Sequence, residues 1–177
     1  MKAVLLDRDG TLIVDRIGDR VDAIEKVELL PHTLDALAHL ATHNFGIIIV
    51  TNQTSIAQGR INEDDFWRIN NHMLEQFEPS GIEVLKTFVC PHDNGAGCAC
   101  RKPEPGLLVE AVPEFGLDSQ GTYIVGDRLS DVRAGINAGI KTILVETGKF
   151  PVVAPEATYT APHLLDAAKY IVANQAT

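Results

Sequence analysis

No stretch of the sequence stays apolar for long. The longest such run, at residues 45–50, is far short of the ~20 residues that a membrane-spanning helix needs. A second short run at residues 3–6 stops at Asp7-Arg8-Asp9, where a secretory signal would continue its apolar region. A cytoplasmic chain without a membrane segment is therefore expected. Basic residues are also scarce. Lys and Arg number 15 against 24 Asp and Glu, a net charge of −9, which argues against sequence-independent nucleic-acid binding through a basic surface. A small phosphorylated substrate stays compatible, because a few local cations or a metal can hold one. Cysteine is rare. The three cysteines all fall at positions 90–100, too close together to staple a fold, and with a histidine nearby they read as metal ligands. Repeats, low-complexity tracts and Ser/Gly/Pro linkers are missing as well. What is present suits one domain over residues 1–177. The chain is 45% hydrophobic and 22% charged, apolar enough to exclude a disordered tail and long enough for one sizeable core.

Short Val/Ile-rich runs alternate with amphipathic stretches. Strands are predicted at 3–6, 46–50, 84–89, 122–125 and 142–145. Helices are predicted around Leu34 to Leu40, at 63–77 capped by Asn62, at 107–115 with Pro113 interrupting late, at 130–138 with Ser130 as N-cap and Gly139 as stop, and at 164–173. Buried-type strands separated by helices imply an α/β fold: a doubly wound parallel sheet of about five strands, covered on both faces. Such folds place their sites beyond the carboxyl ends of the strands.

Polar residues gather at those ends. Asp7-Arg8-Asp9-Gly10-Thr11 follows the first strand and Thr51-Asn52-Gln53 the second. Arg101-Lys102-Pro103 follows the third strand and its Cys/His loop, and Gly126-Asp127-Arg128-Leu129-Ser130-Asp131 the fourth. A single Asp in a turn is commonly a cap; four strand ends bearing carboxylates, a hydroxyl and a lysine make a site. Asp7, Asp9 and Asp127 would repel one another unless a cation sat among them, and Mg²⁺ with phosphate suits oxygen ligands. One carboxylate can then attack phosphorus, and a second, two residues along, can serve as acid and base. Thr51 would bind phosphate oxygens, and Lys102 would offset the charge of nucleophile and phosphoryl group.

These motifs, in this order, resemble those of the haloacid dehalogenase (HAD) superfamily of aspartate-nucleophile phosphatases, from about residue 2 to about residue 150. The resemblance implies Asp7 as nucleophile, Asp9 as general acid/base, and Mg²⁺ held by Asp7, the Asp9 backbone carbonyl and Asp127. It places Asp131 where it orients Lys102 or a metal-bound water.

Cys90-Pro91-His92, five residues, then Cys98-Ala99-Cys100 supplies four ligands of the kind that closes a tetrahedral Zn²⁺ site. With no position left for water, zinc is expected to be structural, shaping the 90–100 loop ahead of Arg101 and Lys102. A loop like this resembles two small, nearly capless branches of the superfamily, one acting on heptose 1,7-bisphosphate and one on histidinol phosphate. Asn52 to Arg60, Pro105-Gly106-Leu107-Leu108 and Glu146-Thr147-Gly148-Lys149 resemble the heptose branch. The five-residue gap and residues 21–27 lean to the histidinol branch. The lack of Tyr after Asp15 and the presence of Ser55 depart from the heptose pattern and leave a related sugar phosphate open. Arg101 and Arg128 are candidates to fork a second phosphate or a carboxylate. Asn52 and Gln53 are candidates for sugar hydroxyls. A mutase or phosphotransferase would usually need a cap to exclude water, and the spacing leaves no room for one. A non-catalytic module would lack Asp7 or Asp9. A capless chain of this size is expected to act as a monomer.

Overall fold

A computed structural model describes residues 1–175 of the chain; the predicted domain limit at residue 177 lies outside them. Six parallel strands form one sheet: β1 (Ala3–Leu6), β2 (Gly46–Asn52), β3 (Lys86–Cys90), β4 (Tyr123–Gly126), β5 (Lys141–Val145) and β6 (Tyr159–Ala161), in the order β3-β2-β1-β4-β5-β6. The first half of the chain winds outward from β1 and the second half winds outward from β4. A crevice therefore opens between the carboxyl ends of these two central strands.

The period-two alternation divides the strand residues between two cores. Val4, Leu6, Ile47, Ile49, Tyr123 and Val125 face one side, under α1 (Thr33–Thr42), α3 (Glu63–Glu75) and α6 (Leu164–Ala173). Ala3, Leu5, Ile48, Val50, Phe88 and Ile124 face the other, under α4 (Gly106–Glu114) and α5 (Leu129–Ala138). Because both faces are covered, the strands carry continuous apolar runs. No described helix is long and apolar enough to cross a membrane.

Local signals set several helix ends as expected. The Asn62 side chain accepts the Asp65 N–H at 2.8 Å, and the Asp65 carboxylate accepts the Asn62 N–H in return. Gly139 closes α5 at φ 71°. Two expectations are corrected. The helix predicted from Ser130 begins at Leu129, with Arg128 in the N-cap position. There the Asp131 carboxylate, rather than the Ser130 hydroxyl, accepts the Arg128 N–H, at 3.0 Å. The sheet also has six strands rather than five. The sixth, Tyr-Thr-Ala, pairs with β5 at an edge and carries no β-branched apolar run that would announce it. A single short turn, α2 (Thr54–Ala57), follows β2.

Candidate active site

The residues after β1 and β4 are drawn together by the sheet, where the Asp7 N–H donates to the Val125 carbonyl at 2.9 Å. Beyond that join, carboxylate oxygens of Asp7, Asp127 and Asp131 lie within 4.8 Å of one another, and all three residues are buried. Lys102 arrives from the loop after β3. Its ammonium lies 2.8 Å from Asp7 Oδ1 and 2.6 Å from Asp131 Oδ1, and donates to the Val50 carbonyl at 2.8 Å. Two hydrogen bonds, to Asp7 and Val50, and the ion pair with Asp131 hold it in place. Burial would lower its pKa; the charges of Asp131 and Asp7 outweigh that and hold the ammonium protonated, above its ordinary value.

With all three ionised, the carboxylates against the Lys102 ammonium leave this buried group at net −2, and the half-exposed Arg128 reaches its edge, 3.8 Å from Asp127 Oδ2. Burial pushes the Asp127 carboxyl up to about 8, with repulsion from Asp7 and Asp131 adding to it. Burial likewise raises Asp7 to about 6, against the pull of Lys102. The donors are all hard oxygens, and the missing charge is that of one divalent cation, so the residues fit an ion such as Mg²⁺.

Two glycines make room for this cluster. A Cβ on Gly148 would lie 2.2 Å from Asp127 Oδ2, and one on Gly10, itself at φ 92°, would lie 2.6 Å from the same oxygen. Gly148 belongs to the segment after β5, which Thr147 ties back by donating to the Gly10 carbonyl at 2.6 Å.

Asp9 stands apart from the three converging carboxylates. Arg8 Nε donates to its Oδ2 at 2.9 Å and Arg8 Nη2 to its Oδ1 at 3.0 Å. Gln53 Nε2 donates to the same Oδ2 at 2.7 Å and to Thr51 Oγ1 at 2.8 Å. Burial would raise the Asp9 carboxyl; the Arg8 charge and these hydrogen bonds hold it below its ordinary value.

The amides of Asn52 and Gln53, predicted to reach sugar hydroxyls, also make hydrogen bonds within the protein. Asn52 donates to the Lys102 carbonyl at 3.0 Å and accepts the Lys102 N–H at 3.1 Å, which fixes the backbone that carries the lysine. Both residues line the cavity with these bonds in place. Arg101 lines the cavity but is pinned to the sulfur loop, donating to the His92 carbonyl at 3.0 Å and to Asn94 Oδ1 at 2.5 Å. Arg128 donates to Asp15 Oδ2 at 2.9 Å, and Lys149 donates to Asp15 Oδ1 at 2.9 Å. The sequence pattern does not single out Asp15 or Lys149 as site residues. Asp15 has only its place four residues after Thr11 as a signal, whereas Lys149 ends the Glu146-Thr147-Gly148-Lys149 segment that resembles the heptose branch. All of these groups border one cavity of about 760 Å³.

The sulfur loop gathers as its spacing implies. Cys90, Cys98 and Cys100 sulfurs are 3.0–3.7 Å apart, and His92 Nδ1 lies 3.6 Å from Cys90 Sγ and 3.2 Å from Cys100 Sγ. These are short edges of a tetrahedron, near the span that Zn–S bonds of about 2.3 Å require. The thiols are not joined as disulfides. Burial and the two neighbouring sulfurs push Cys100 up to about 12, so thiols this close ionise together only around a cation. The set fits a soft, four-coordinate metal.

Comparison with known proteins gives the same picture. Residues 99–167 match the HAD-hydrolase-like family model. The chain is 38% identical to the D-glycero-alpha-D-manno-heptose-1,7-bisphosphate 7-phosphatase of Campylobacter jejuni over 81% of each chain. It is 36% identical to the D-glycero-beta-D-manno-heptose-1,7-bisphosphate 7-phosphatase of Pasteurella multocida over 96% of each. The crystal structure of a D,D-heptose 1,7-bisphosphate phosphatase from B. bronchiseptica, complexed with magnesium and phosphate, superposes with a TM-score of 0.91 at 31% identity, covering 98% of this chain and 99% of that one. With these relatives matched over nearly their whole length, the chain belongs to the capless HAD phosphatases, in the family of the heptose-1,7-bisphosphate 7-phosphatases.

Proposed function

We propose that the chain hydrolyses the C7 phosphate ester of D-glycero-D-manno-heptose 1,7-bisphosphate through an aspartyl-phosphate on Asp7. The observation that carries this reading is the buried ammonium of Lys102, bridging Asp7 and Asp131 at 2.8 and 2.6 Å. It keeps the nucleophile ionised and aimed while offsetting the charge that builds on the phosphoryl group.

Asp7, the Asp9 carbonyl and Asp127 would hold Mg²⁺, which supplies charge neutralisation of nucleophile and phosphate when bound. Asp9, ionised in the resting site, takes up a proton from solvent as substrate binds; the Asp7 carboxylate attacks phosphorus, the bond from phosphorus to the C7 oxygen breaks, and Asp9 passes that proton to the oxygen. A water then attacks phosphorus, the acyl-phosphate bond breaks, and Asp9 takes the proton back. The sum is one ester and one water giving one alcohol and one phosphate. Thr51, linked to Asp9 through Gln53, would meet phosphate oxygens. Asp131 acts through Lys102. The second phosphate of the substrate is met by Arg128 and Lys149, held together by Asp15, and by Arg101, which line the same cavity. Zn²⁺ at Cys90, His92, Cys98 and Cys100 would have a structural role, since four protein ligands leave no open position.

Phosphate release from heptose 1,7-bisphosphate and from histidinol phosphate, run side by side with Mg²⁺, tests the assignment. A preference for the bisphosphate of about 100-fold or more in kcat/KM is expected, because each charge-assisted hydrogen bond to the second phosphate contributes about 1.5–3 kcal/mol. Preference for histidinol phosphate would overturn the substrate; turnover of neither would overturn both. Two further results are expected. Gly148→Ala displaces the Asp127 carboxylate and raises the Mg²⁺ concentration for half-maximal activity by about 10-fold or more, as loss of support for a metal ligand does. Protein purified without chelator carries about one zinc per chain by elemental analysis, and Cys98→Ser lowers Tm more than it lowers kcat.

A further inference from the structure

Arg8 sits between the two aspartates of the first motif, yet its side chain is 1% exposed. Its guanidinium lies 5.3 Å from the centre of the Phe66 ring, on α3. It spends two nitrogens on Asp9, at 2.9 and 3.0 Å, while Nη1 is buried with no hydrogen-bond partner among the described residues. Burying an arginine with one nitrogen unsatisfied is a poor way to stabilise a fold, since the desolvation of the ion offsets most of what its pair returns. What the arrangement does supply is direction. A guanidinium fork fixes the plane of a carboxylate, and here it fixes Asp9, which stands outside the Asp7/Asp127/Asp131 cluster. Gln53 adds a third hydrogen bond to the same group and anchors it to Thr51.

We propose that Arg8 and Gln53 are positioning residues for the acid/base: they hold the Asp9 carboxylate on the leaving-group side of the site, away from the metal-binding carboxylates. This rests on Asp9 having the acid/base role given above. A carboxylate freed from Arg8 is free to turn toward the cation that Asp7 and Asp127 would hold. There it can neither protonate the leaving oxygen nor take a proton from water. The two restraints therefore act on proton transfer and leave the nucleophile unchanged.

The test separates steps by leaving group. The C7 alkoxide needs a proton to depart; p-nitrophenolate does not. Arg8→Met, Gln53→Leu and Arg8→Lys are compared with wild type and with Asp9→Asn. For Arg8→Met, kcat on heptose 1,7-bisphosphate is expected to fall by about 100-fold, the low end of what general acid–base catalysis contributes, with KM within about 3-fold. On p-nitrophenyl phosphate the first turnover is nearly unimpaired. A burst of about one p-nitrophenolate per chain appears, followed by slow turnover, because breakdown of the phosphoenzyme still needs the base. Arg8→Lys, which keeps the charge without the fork, recovers part of the loss. Gln53→Leu, which leaves the buried guanidinium in place, gives the same pattern at about 10-fold and decides the matter should Arg8→Met not fold. Equal losses on both substrates with no burst, or wild-type kinetics in Gln53→Leu and Arg8→Met, would overturn the proposal. Wild-type turnover of the bisphosphate by Asp9→Asn would instead overturn the acid/base reading beneath it.

Discussion

Asp7→Asn is expected to abolish turnover, lowering kcat by about 10⁴-fold or more, the scale on which removal of a nucleophile acts, while the protein stays folded. The change removes a nucleophilic oxygen and almost no volume. The amide oxygen of Asn can still accept the Lys102 ammonium that now donates to Asp7 Oδ1 at 2.8 Å, so the lysine keeps its bonds to Asp131 and Val50. One negative charge leaves a buried group that has two to spare. The metal-free variant is therefore expected to be at least as stable as the parent at pH 8, which distinguishes loss of chemistry from loss of structure. Acid-quenched protein analysed by mass spectrometry should carry a phosphoryl group on Asp7 in the parent and none in the variant. Activity within about 10-fold of the parent would remove Asp7 from the role of nucleophile and pass it to another carboxylate of the cluster.

The place of that cluster is legible in the sequence for a simple reason. In a parallel sheet every strand delivers its next residue to the same edge, so the polar residues just beyond each Val/Ile run mark the site. Asp7, Thr51, Lys102 and Asp127 are all legible in that way, although Lys102 stands 12 residues beyond the end of β3 and needs the sulfur loop to bring it back. Side-chain direction is not legible. Asn52 and Gln53 stand at a strand end in the run that resembles a substrate loop, yet both turn their amides to Lys102, Asp9 and Thr51. A residue's position relative to a strand says where its Cα lies; which partner claims a short amide is decided by neighbours from distant parts of the chain. Arg8 is hidden for the converse reason. Its charge suggests solvent, and only the packing of Phe66 shows that it is enclosed. The Asp15 clamp on Arg128 and Lys149 joins residues 113 and 134 positions apart, and no local pattern encodes it. The sixth strand is three residues with one buried side chain, too short to announce a period.

The second large effect is on stability, and its direction comes from the same surplus charge. In the unfolded chain Asp7 and Asp127 titrate near 3.8; folded, burial with like-charge repulsion places them at about 6 and about 8. Across that interval the folded protein retains protons that the unfolded chain has released, so stability falls as pH rises. The loss begins near pH 4 and is complete above about pH 8. Asp9 runs the other way: held below its ordinary value, it contributes stability that disappears only in acid. In Mg²⁺-free buffer Tm is therefore expected to drop by roughly 5–10 °C between pH 5.5 and pH 8.5, given that about 1 kcal/mol moves Tm by 2–4 °C in a domain of this size. Millimolar Mg²⁺ should recover most of the drop at pH 8.5. It should do little at pH 5.5, where the proton already occupies the ligands that the cation needs. Asp127→Asn should flatten the pH dependence and blunt the response to Mg²⁺ together, because one carboxylate accounts for both. Thermal scans of parent and variant at the two pH values, with and without Mg²⁺, read all of these differences. A Tm that ignores pH in the Mg²⁺-free parent would mean that the three carboxylates do not repel one another, and the case for a divalent cation built on their surplus charge would fall with it.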